Sequence, residues 1–237
     1  MKSDELTIKI FADGADVDNI SRLSKLSYVK GFTTNPSLMK QAGVTDYKKF
    51  AEEVLDIVKT LPVSLEVFAD DVEGMFEQAK KISKLAKNVY VKIPVINSRG
   101  ESTKEVISSL VKEGIPLNLT AIMTAYQVES LLSHVAVDSR VILSIFAGRI
   151  ADTGCDPCPI VESAVTMANN FENIEVLWAS TREVYNVVQA ENVGCHIITM
   201  PYAFLKKLQL FGKDLNEYSR ETAETFFLDA KSSGFKI

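Results

Sequence analysis

The chain has 237 residues, 46% of them hydrophobic and 24% charged, with a formal net charge of −5. Apolar content on this scale supports a sizeable core and argues against disorder, while an acidic surplus interleaved with Lys and Arg excludes general nucleic-acid binding, which needs a concentrated basic surface. No apolar stretch reaches the roughly 20 residues that span a bilayer, and Met1-Lys2-Ser3-Asp4-Glu5 lacks the apolar core of a secretion signal, so no membrane partner and a cytoplasmic address are expected.

Short apolar runs of β character alternate with helical periodicity along the chain. In order, the strand candidates are residues 6–11, 29–33, 63–68, 89–93, 116–120, 140–145, 175–179 and 196–199. Between them lie helical patterns such as Phe50, Val54, Ile57 and Val58 after the N-cap candidate Thr45, or Met75, Ala79 and Ile82 after Asp70 and Asp71. Eight strands and eight helices fit the count. Strands separated by helices of this length require right-handed parallel crossovers, so an α/β fold is expected, a single (β/α)8 TIM-type barrel domain over residues 1–237. The alternative, an open doubly wound sheet, lacks its glycine-rich phosphate loop: Asp13-Gly14-Ala15-Asp16 carries only one glycine. After the eighth unit an additional C-terminal helix is expected over about 214–231, with Leu215, Tyr218, Thr222, Thr225, Phe226 and Phe227 on its apolar side. Such an appendage packs on its own barrel or on a neighbouring subunit.

The three cysteines give no disulfide framework. Cys155-Asp156-Pro157-Cys158 has the spacing of redox and zinc sites, but no second pair matches it and His134 and His196 are remote in sequence. It reads as two loop thiols, with no metal site.

Lys92 stands alone inside Val89-Tyr90-Val91-Lys92-Ile93-Pro94-Val95-Ile96, a run that otherwise reads as a strand buried on both faces. An ammonium is costly to desolvate there, and the neutral amine that burial favours is the form that attacks a carbonyl. The plainer reading is a lysine whose stem lies on apolar surface while its head reaches water. In a barrel the chemistry sits at the C-terminal strand ends, so the polar residues closing the other runs decide between the two. They are Asp13, then Thr33, Thr34 and Asn35, then Glu66, Asn118 with Thr120, Ser144, and Ser180 with Arg182, with Arg149 just beyond the sixth strand. An amine, two carboxylates, hydroxyls, amides and two guanidinium groups suit carbonyl chemistry on a phosphorylated sugar. Each also has a dull explanation: Asp13 as a helix cap, Asn35-Pro36-Ser37 as a turn into a helix, Glu66 and the arginines as surface ion-pair partners.

At these residues the sequence resembles the transaldolase family, in particular its small branch that includes fructose-6-phosphate aldolase. The matching segments are Phe11-Ala12-Asp13, Thr33-Thr34-Asn35-Pro36-Ser37, Val91-Lys92-Ile93-Pro94, Asn118-Leu119-Thr120, Ser144-Ile145-Phe146-Ala147-Gly148-Arg149 and Ala179-Ser180-Thr181-Arg182. The resemblance implies a Schiff base on Lys92, with Asp13 moving the proton of the C4 hydroxyl and Glu66 with Thr120 activating the water of imine formation and hydrolysis. It implies that Asn35, Asn118 and Ser144 position the dihydroxyacetone part, that Arg149, Ser180 and Arg182 hold the phosphate, and that Thr33 and Phe146 also belong to the substrate site. Phosphorylated ketose and aldose substrates are expected, with no metal or organic cofactor, and a homo-oligomer, a pentamer or decamer. Transaldolases carry Glu and Phe where this chain has Glu66 and Phe146, whereas the aldolases carry Gln and Tyr, so transfer is favoured over cleavage. Departures from the family pattern are Gly14 in place of Thr, Ile145 in place of Pro, and the cysteine loop. An aldolase, or an inactive sugar-phosphate-binding barrel, remains an alternative.

Overall fold

The computed structural model describes residues 5–136 and 138–235. Its contacts divide into two compact units: Thr7–Leu205, and a smaller one drawn from the chain's two ends, from Lys206 onward and before Thr7.

The larger unit is a closed barrel of eight parallel strands in sequential order. They are β1 (Lys9–Asp13), β2 (Val29–Thr33), β3 (Val63–Glu66), β4 (Val89–Pro94), β5 (Leu117–Ile122), β6 (Val141–Ile145), β7 (Ile174–Trp178) and β8 (Ile197–Pro201), with β8 pairing back onto β1. The expected (β/α)8 architecture is therefore present. Its helices are α1 (Val17–Leu23), α2 (Pro36–Gln41), α3 (Tyr47–Ile57), α4 (Val72–Ser83), α5 (Lys104–Lys112), α6 (Ala125–Leu132), α7 (Ala147–Asp152), α8 (Cys158–Ala168), α9 (Asn186–Asn192) and α10 (Tyr202–Leu205).

With α11 (Leu215–Ser233), the expected C-terminal helix, that makes eleven α-helices among the described residues, where eight and the C-terminal one are expected. The loops after β2 and β6 each hold two. After β2, the Asn35 side chain accepts from Leu38 N and Pro36 sits in the first turn, which starts α2 at once. After β6, Gly154 at φ 83° lies just past the end of α7, and Pro157 and Pro159 open α8.

Several strands end later than polarity alone suggests. The run expected to stop at residue 11 continues to Asp13, which pairs with Thr33 on one side and Pro201 on the other. A ladder bond needs only a neighbour's backbone group, so it extends through polar side chains wherever the adjacent strand continues. Likewise α3 is capped by Asp46 rather than Thr45, and its inward set is Phe50, Ala51, Val54 and Leu55, leaving Ile57 half-buried.

Helices outside and barrel axis inside bury both faces of the strands; every residue of β3 and β6 is buried. Within the barrel, Phe11, Ile142, Leu177, Ala179 and Ile197 form an apolar cluster. The Phe11 ring lies where a side chain on Gly31 would stand, 2.5 Å from an added Cβ. Two residues further along β1, β6 and β8 the same inward parity presents Asp13, Ser144 and Thr199. The apolar layer thus forms the floor on which a polar layer rests. Below, Glu191 of α9 accepts from the Thr7 and Ile8 amides and from Thr7 Oγ1 at 2.6 Å, anchoring the chain as it enters β1.

In the smaller unit, α11 starts at Asp214, whose side chain accepts from Asn216 N and Glu217 N, and stops at Gly234 in the left-handed conformation. Arg220 pairs with Glu217 and Glu224, and none of the helix is buried. Among the described residues no helix is long and apolar enough to cross a membrane.

Candidate active site

A cavity of about 550 Å³ opens at the C-terminal mouth of the barrel. Asp13, Thr33, Asn35, Glu66, Lys92, Thr120, Ser144, Phe146, Arg149, Ser180 and Arg182 all line it, so eleven of the twelve residues expected to have a role in the site share one space. Asn118 is the twelfth. It is fully buried beneath the cavity wall, where its Nδ2 donates to Ser64 Oγ at 2.9 Å and its Oδ1 accepts from Ser144 Oγ at 2.6 Å. Its contact with the cavity therefore runs through Ser144, whose hydroxyl it orients.

Lys92 is 8% exposed and its Nζ donates to the Thr34 carbonyl oxygen at 2.6 Å. Adjacent-strand register sets its neighbours: Lys92 pairs with Glu66 on β3 and with Asn118 on β5. The plainer sequence reading, a lysine head in open water, does not describe this geometry.

Both carboxylates near Lys92 hold their protons more tightly than usual. Burial raises the Asp13 pKa above its ordinary value, against the opposing pull of the Lys92 charge and the hydrogen bond from Thr33 Oγ1 at 2.7 Å. Burial raises that of Glu66 as well, partly offset by Lys92, by the Thr34 Oγ1 bond at 2.9 Å and by a backbone bond, with Asp13 adding to the rise. Desolvation wins at both sites.

Two atoms there lack partners. Glu66 Oε1 and Thr120 Oγ1 are both buried without a hydrogen bond, although both residues face the cavity. A carboxyl oxygen and a hydroxyl left open in residues lining one cavity supply the kinds of acceptor and donor that a bound water uses. Ala121, next to Thr120, has φ 63°, and the β5–β6 register shifts between Leu119 and Ile122. The break in register thus falls beside Thr120 and includes a left-handed non-glycine residue.

The opposite rim carries the cations. Arg149 on α7 lies 5.5 Å from the centre of the Phe146 ring, which itself packs on the apolar cluster within the barrel. Arg182 follows β7, and its Nε and Nη2 donate to the Asp152 carboxylate. Those bonds hold the Asp152 carboxyl below its ordinary range, followed, against burial, by the charges of Arg182 and Arg149. Ser180 has φ 65° and lies against Gly148.

Sequence reasoning did not assign roles to Thr34, Ser64, Thr199 or Asp152. Thr34 bonds both Lys92 and Glu66, and Thr199 Oγ1 lies 2.6 Å from Thr33 Oγ1. The signal for Thr34 was available in its place beside Thr33. Ser64 and Thr199 sit inside apolar runs, and only the inward parity of their strands marks them. Gly14 opens onto a second cavity of about 270 Å³ that shares Asp13, and a Cβ there would meet nothing within 4 Å. Cys155 is exposed, and Cys158 is half-buried with its thiol pushed up to about 11 by burial and the bond to Asp156; neither lines the barrel cavity. Among the described residues, no three His, Cys, Asp or Glu side chains gather as a metal site.

Fold and site together define a TIM-barrel enzyme whose polar groups converge on a buried lysine. The family model described as transaldolase/fructose-6-phosphate aldolase matches residues 10–236, and the chain belongs to that family. It is 38% identical over 231 residues to the "Probable transaldolase" of Thermoanaerobacter sp. (strain X514), covering 97% of this chain and 100% of that one. It is also 38% identical over 205 residues to the "Probable transaldolase" of Methanococcus maripaludis (strain C6 / ATCC BAA-1332), covering 85% and 89%. A solved structure from Burkholderia cenocepacia J2315 shares the fold at 12% identity, with a TM-score of 0.59 over 87% of this chain and 84% of that one. The protein is thus an enzyme of the aldolase/transaldolase type.

Proposed function

We propose that the protein is a class I transaldolase, moving a dihydroxyacetone unit between phosphorylated sugars through an imine on Lys92. The observation that carries this reading is the shared cavity of Lys92, Asp13 and Glu66, with the amine buried and each carboxylate retaining its proton more firmly than usual. Nζ adds to the ketose C2 carbonyl, and loss of water leaves a protonated imine. Glu66 Oε1 and Thr120 Oγ1 are suited to hold that water on its way out and on its return.

Cleavage follows from the charge on the imine. Asp13 takes the proton of the C4 hydroxyl, the C3–C4 bond breaks, and its electron pair enters the imine to give an enamine as the aldehyde leaves. When an acceptor aldehyde arrives, the enamine carbon attacks its carbonyl and Asp13 returns the proton. Water then releases the new ketose from Lys92. Ser144, oriented by Asn118, is suited to hold a hydroxyl of the three-carbon unit, and so are Thr33 and Asn35. Arg149, Ser180 and Arg182 form the anion end.

Phe146 favours transfer over simple cleavage, because its ring offers no proton that could quench the enamine and free dihydroxyacetone. The exposed apolar residues of α11, Leu215, Phe226 and Phe227, support an expectation of a homo-oligomer, which light scattering reads directly.

The test is reduction with borohydride in the presence of fructose 6-phosphate, followed by mass mapping. A stable three-carbon addition on Lys92 is expected, and an unmodified Lys92 during turnover rejects the reading. Free dihydroxyacetone formed without an acceptor points instead to the aldolase. Sugar-phosphate binding with no imine points to an inactive barrel.

A further inference from the structure

Arg149 and Asp152 are three residues apart on α7 and so lie on one side of it. The Asp152 carboxylate reaches from there to Arg182: Nε donates to its two oxygens at 3.0 and 3.2 Å, and Nη2 donates to Oδ2 at 2.5 Å. A guanidinium binds a carboxylate or a phosphate through a pair of parallel N–H donors. Asp152 has taken the Nε–Nη2 pair. The two arginines at the rim of the cavity therefore present a net charge of +1 with Asp152 included, rather than +2.

The ion pair is not required to hold the loops together. Gly148 N already donates to the Ala179 carbonyl oxygen at 3.4 Å, and Asn186 Oδ1 accepts from the Arg182 and Glu183 amides at 2.8 and 3.1 Å. Both side chains of the pair are about half exposed, 46% for Arg182 and 53% for Asp152, and an ion pair this open contributes little to folding. Its effect falls on whatever anion approaches Arg182.

We infer that Asp152 is a specificity-determining residue: by occupying the chelating Nε–Nη2 edge of Arg182 and cancelling one positive charge, it weakens the hold on a phosphate dianion and lets aldehydes without a phosphate compete as acceptors. The inference rests on the proposed assignment of Arg149 and Arg182 to phosphate. Asp152 acts through Arg182 and need not touch the sugar.

The experiment compares the wild type with Asp152→Asn, which removes the charge, and Asp152→Glu, which keeps it. Two quantities are measured: inhibition by inorganic phosphate during transfer to glyceraldehyde, and the ratio of kcat/KM for glyceraldehyde 3-phosphate over glyceraldehyde. For Asp152→Asn the phosphate inhibition constant should fall roughly three- to tenfold and the ratio should rise by a similar factor, while Asp152→Glu stays nearer the wild type. The gain should shrink as salt is added. A folded Asn variant with unchanged or weaker phosphate affinity overturns the inference and makes Asp152 a support for Arg182. Should the Asn variant fail to fold, Asp152→Ser is read against the same two outcomes. Arg149→Ala checks the underlying assignment separately: if it leaves the ratio unchanged and phosphate does not inhibit the wild type, the anion end itself is wrong, whatever Asp152 does.

Discussion

A Cβ placed on Gly148 would stand 1.6 Å from the carbonyl oxygen of Ser180, closer than any two such atoms can come. The first turn of α7 thus lies directly on the loop after β7, and this contact holds Arg149 and Arg182 at one rim. Ser180 bends into the left-handed region to make the approach.

Gly148→Ala should therefore push the two loops apart, costing about 3 kcal/mol or more in stability, since the obstacle is backbone rather than a movable side chain. Urea unfolding measures the loss. Ser180→Gly should do the reverse, gaining about 1 kcal/mol by relieving the left-handed strain while weakening phosphate binding through loss of the hydroxyl. A Gly148→Ala protein as stable as the wild type removes the close contact from consideration.

The carboxylates predict an inverse relation between stability and activity. Asp13 and Glu66 have folded pKa values raised above those of the unfolded chain, chiefly by burial. As pH rises through the carboxylate range the unfolded chain loses these protons first, so stability present at low pH falls as pH climbs through the folded values. Asp13→Asn and Glu66→Gln should each flatten that decline and stabilise the protein near pH 7 by about 1 kcal/mol. Asp13→Asn should still form the imine yet slow carbon–carbon cleavage by about 10² to 10⁴. Denaturant curves across pH and single-turnover trapping supply both readouts.

Thr120→Val replaces a buried hydroxyl that has no partner with a methyl of similar size. An unsatisfied buried polar group costs about 1–3 kcal/mol, so the variant should be at least as stable as the wild type. If the hydroxyl holds the water of imine chemistry, borohydride trapping of Lys92 should nonetheless slow by about tenfold or more. Trapping at the wild-type rate would remove Thr120 from that step.

Phe146→Tyr adds a phenol at a ring that lines the cavity and packs on the barrel's interior cluster. Release of free dihydroxyacetone from fructose 6-phosphate without acceptor should rise by about tenfold or more, because the enamine gains a proton donor. Coupled reduction of the liberated dihydroxyacetone follows the change. No increase would mean that the enamine is protected by something other than the missing hydroxyl.

His196 gives a second, independent pH signal. Its Nδ1 accepts from Val176 N at 2.9 Å, and burial lowers its pKa below the ordinary value, with Glu175 opposing and Lys9 assisting. As pH falls below about 6.5 the unfolded chain takes up a proton that the folded one refuses, so stability is lost toward acid. His196→Gln should reduce the loss between pH 7 and pH 5, read from urea midpoints at the two values.

Fold and candidate site differed in how far they could be read from the residues in order. Eight apolar runs with helices between them leave few arrangements, because parallel neighbours need right-handed crossovers and both strand faces must be covered. Lys92 and Glu66 stood out for a related reason, since charge inside such a run is costly and therefore conspicuous, whereas Asp13 stood out as the polar residue just past its run. Thr199 and Ser64 were not, since a small hydroxyl in an apolar strand costs little once bonded. Helix number was misjudged where one connection holds two helices, as between β6 and β7, because the six-residue α7 ends before Pro157 and Pro159 open α8, and periodicity over a long window does not resolve so short a helix.

Residue order alone set the alternation of strand and helix, and with it the end of the barrel at which the polar residues would collect. Which of them meet depends on how the sheet closes. Strand register brings Glu66 beside Lys92, burial raises the proton affinity of two carboxylates, Asn118 supports Ser144 from beneath, and Asp152 takes one edge of Arg182. Such relations join residues far apart in the chain, 58 positions for Thr34 and Lys92 and 166 for Thr33 and Thr199, and they arise when the closed sheet fixes distance and excludes water together. A one-dimensional pattern carries neither.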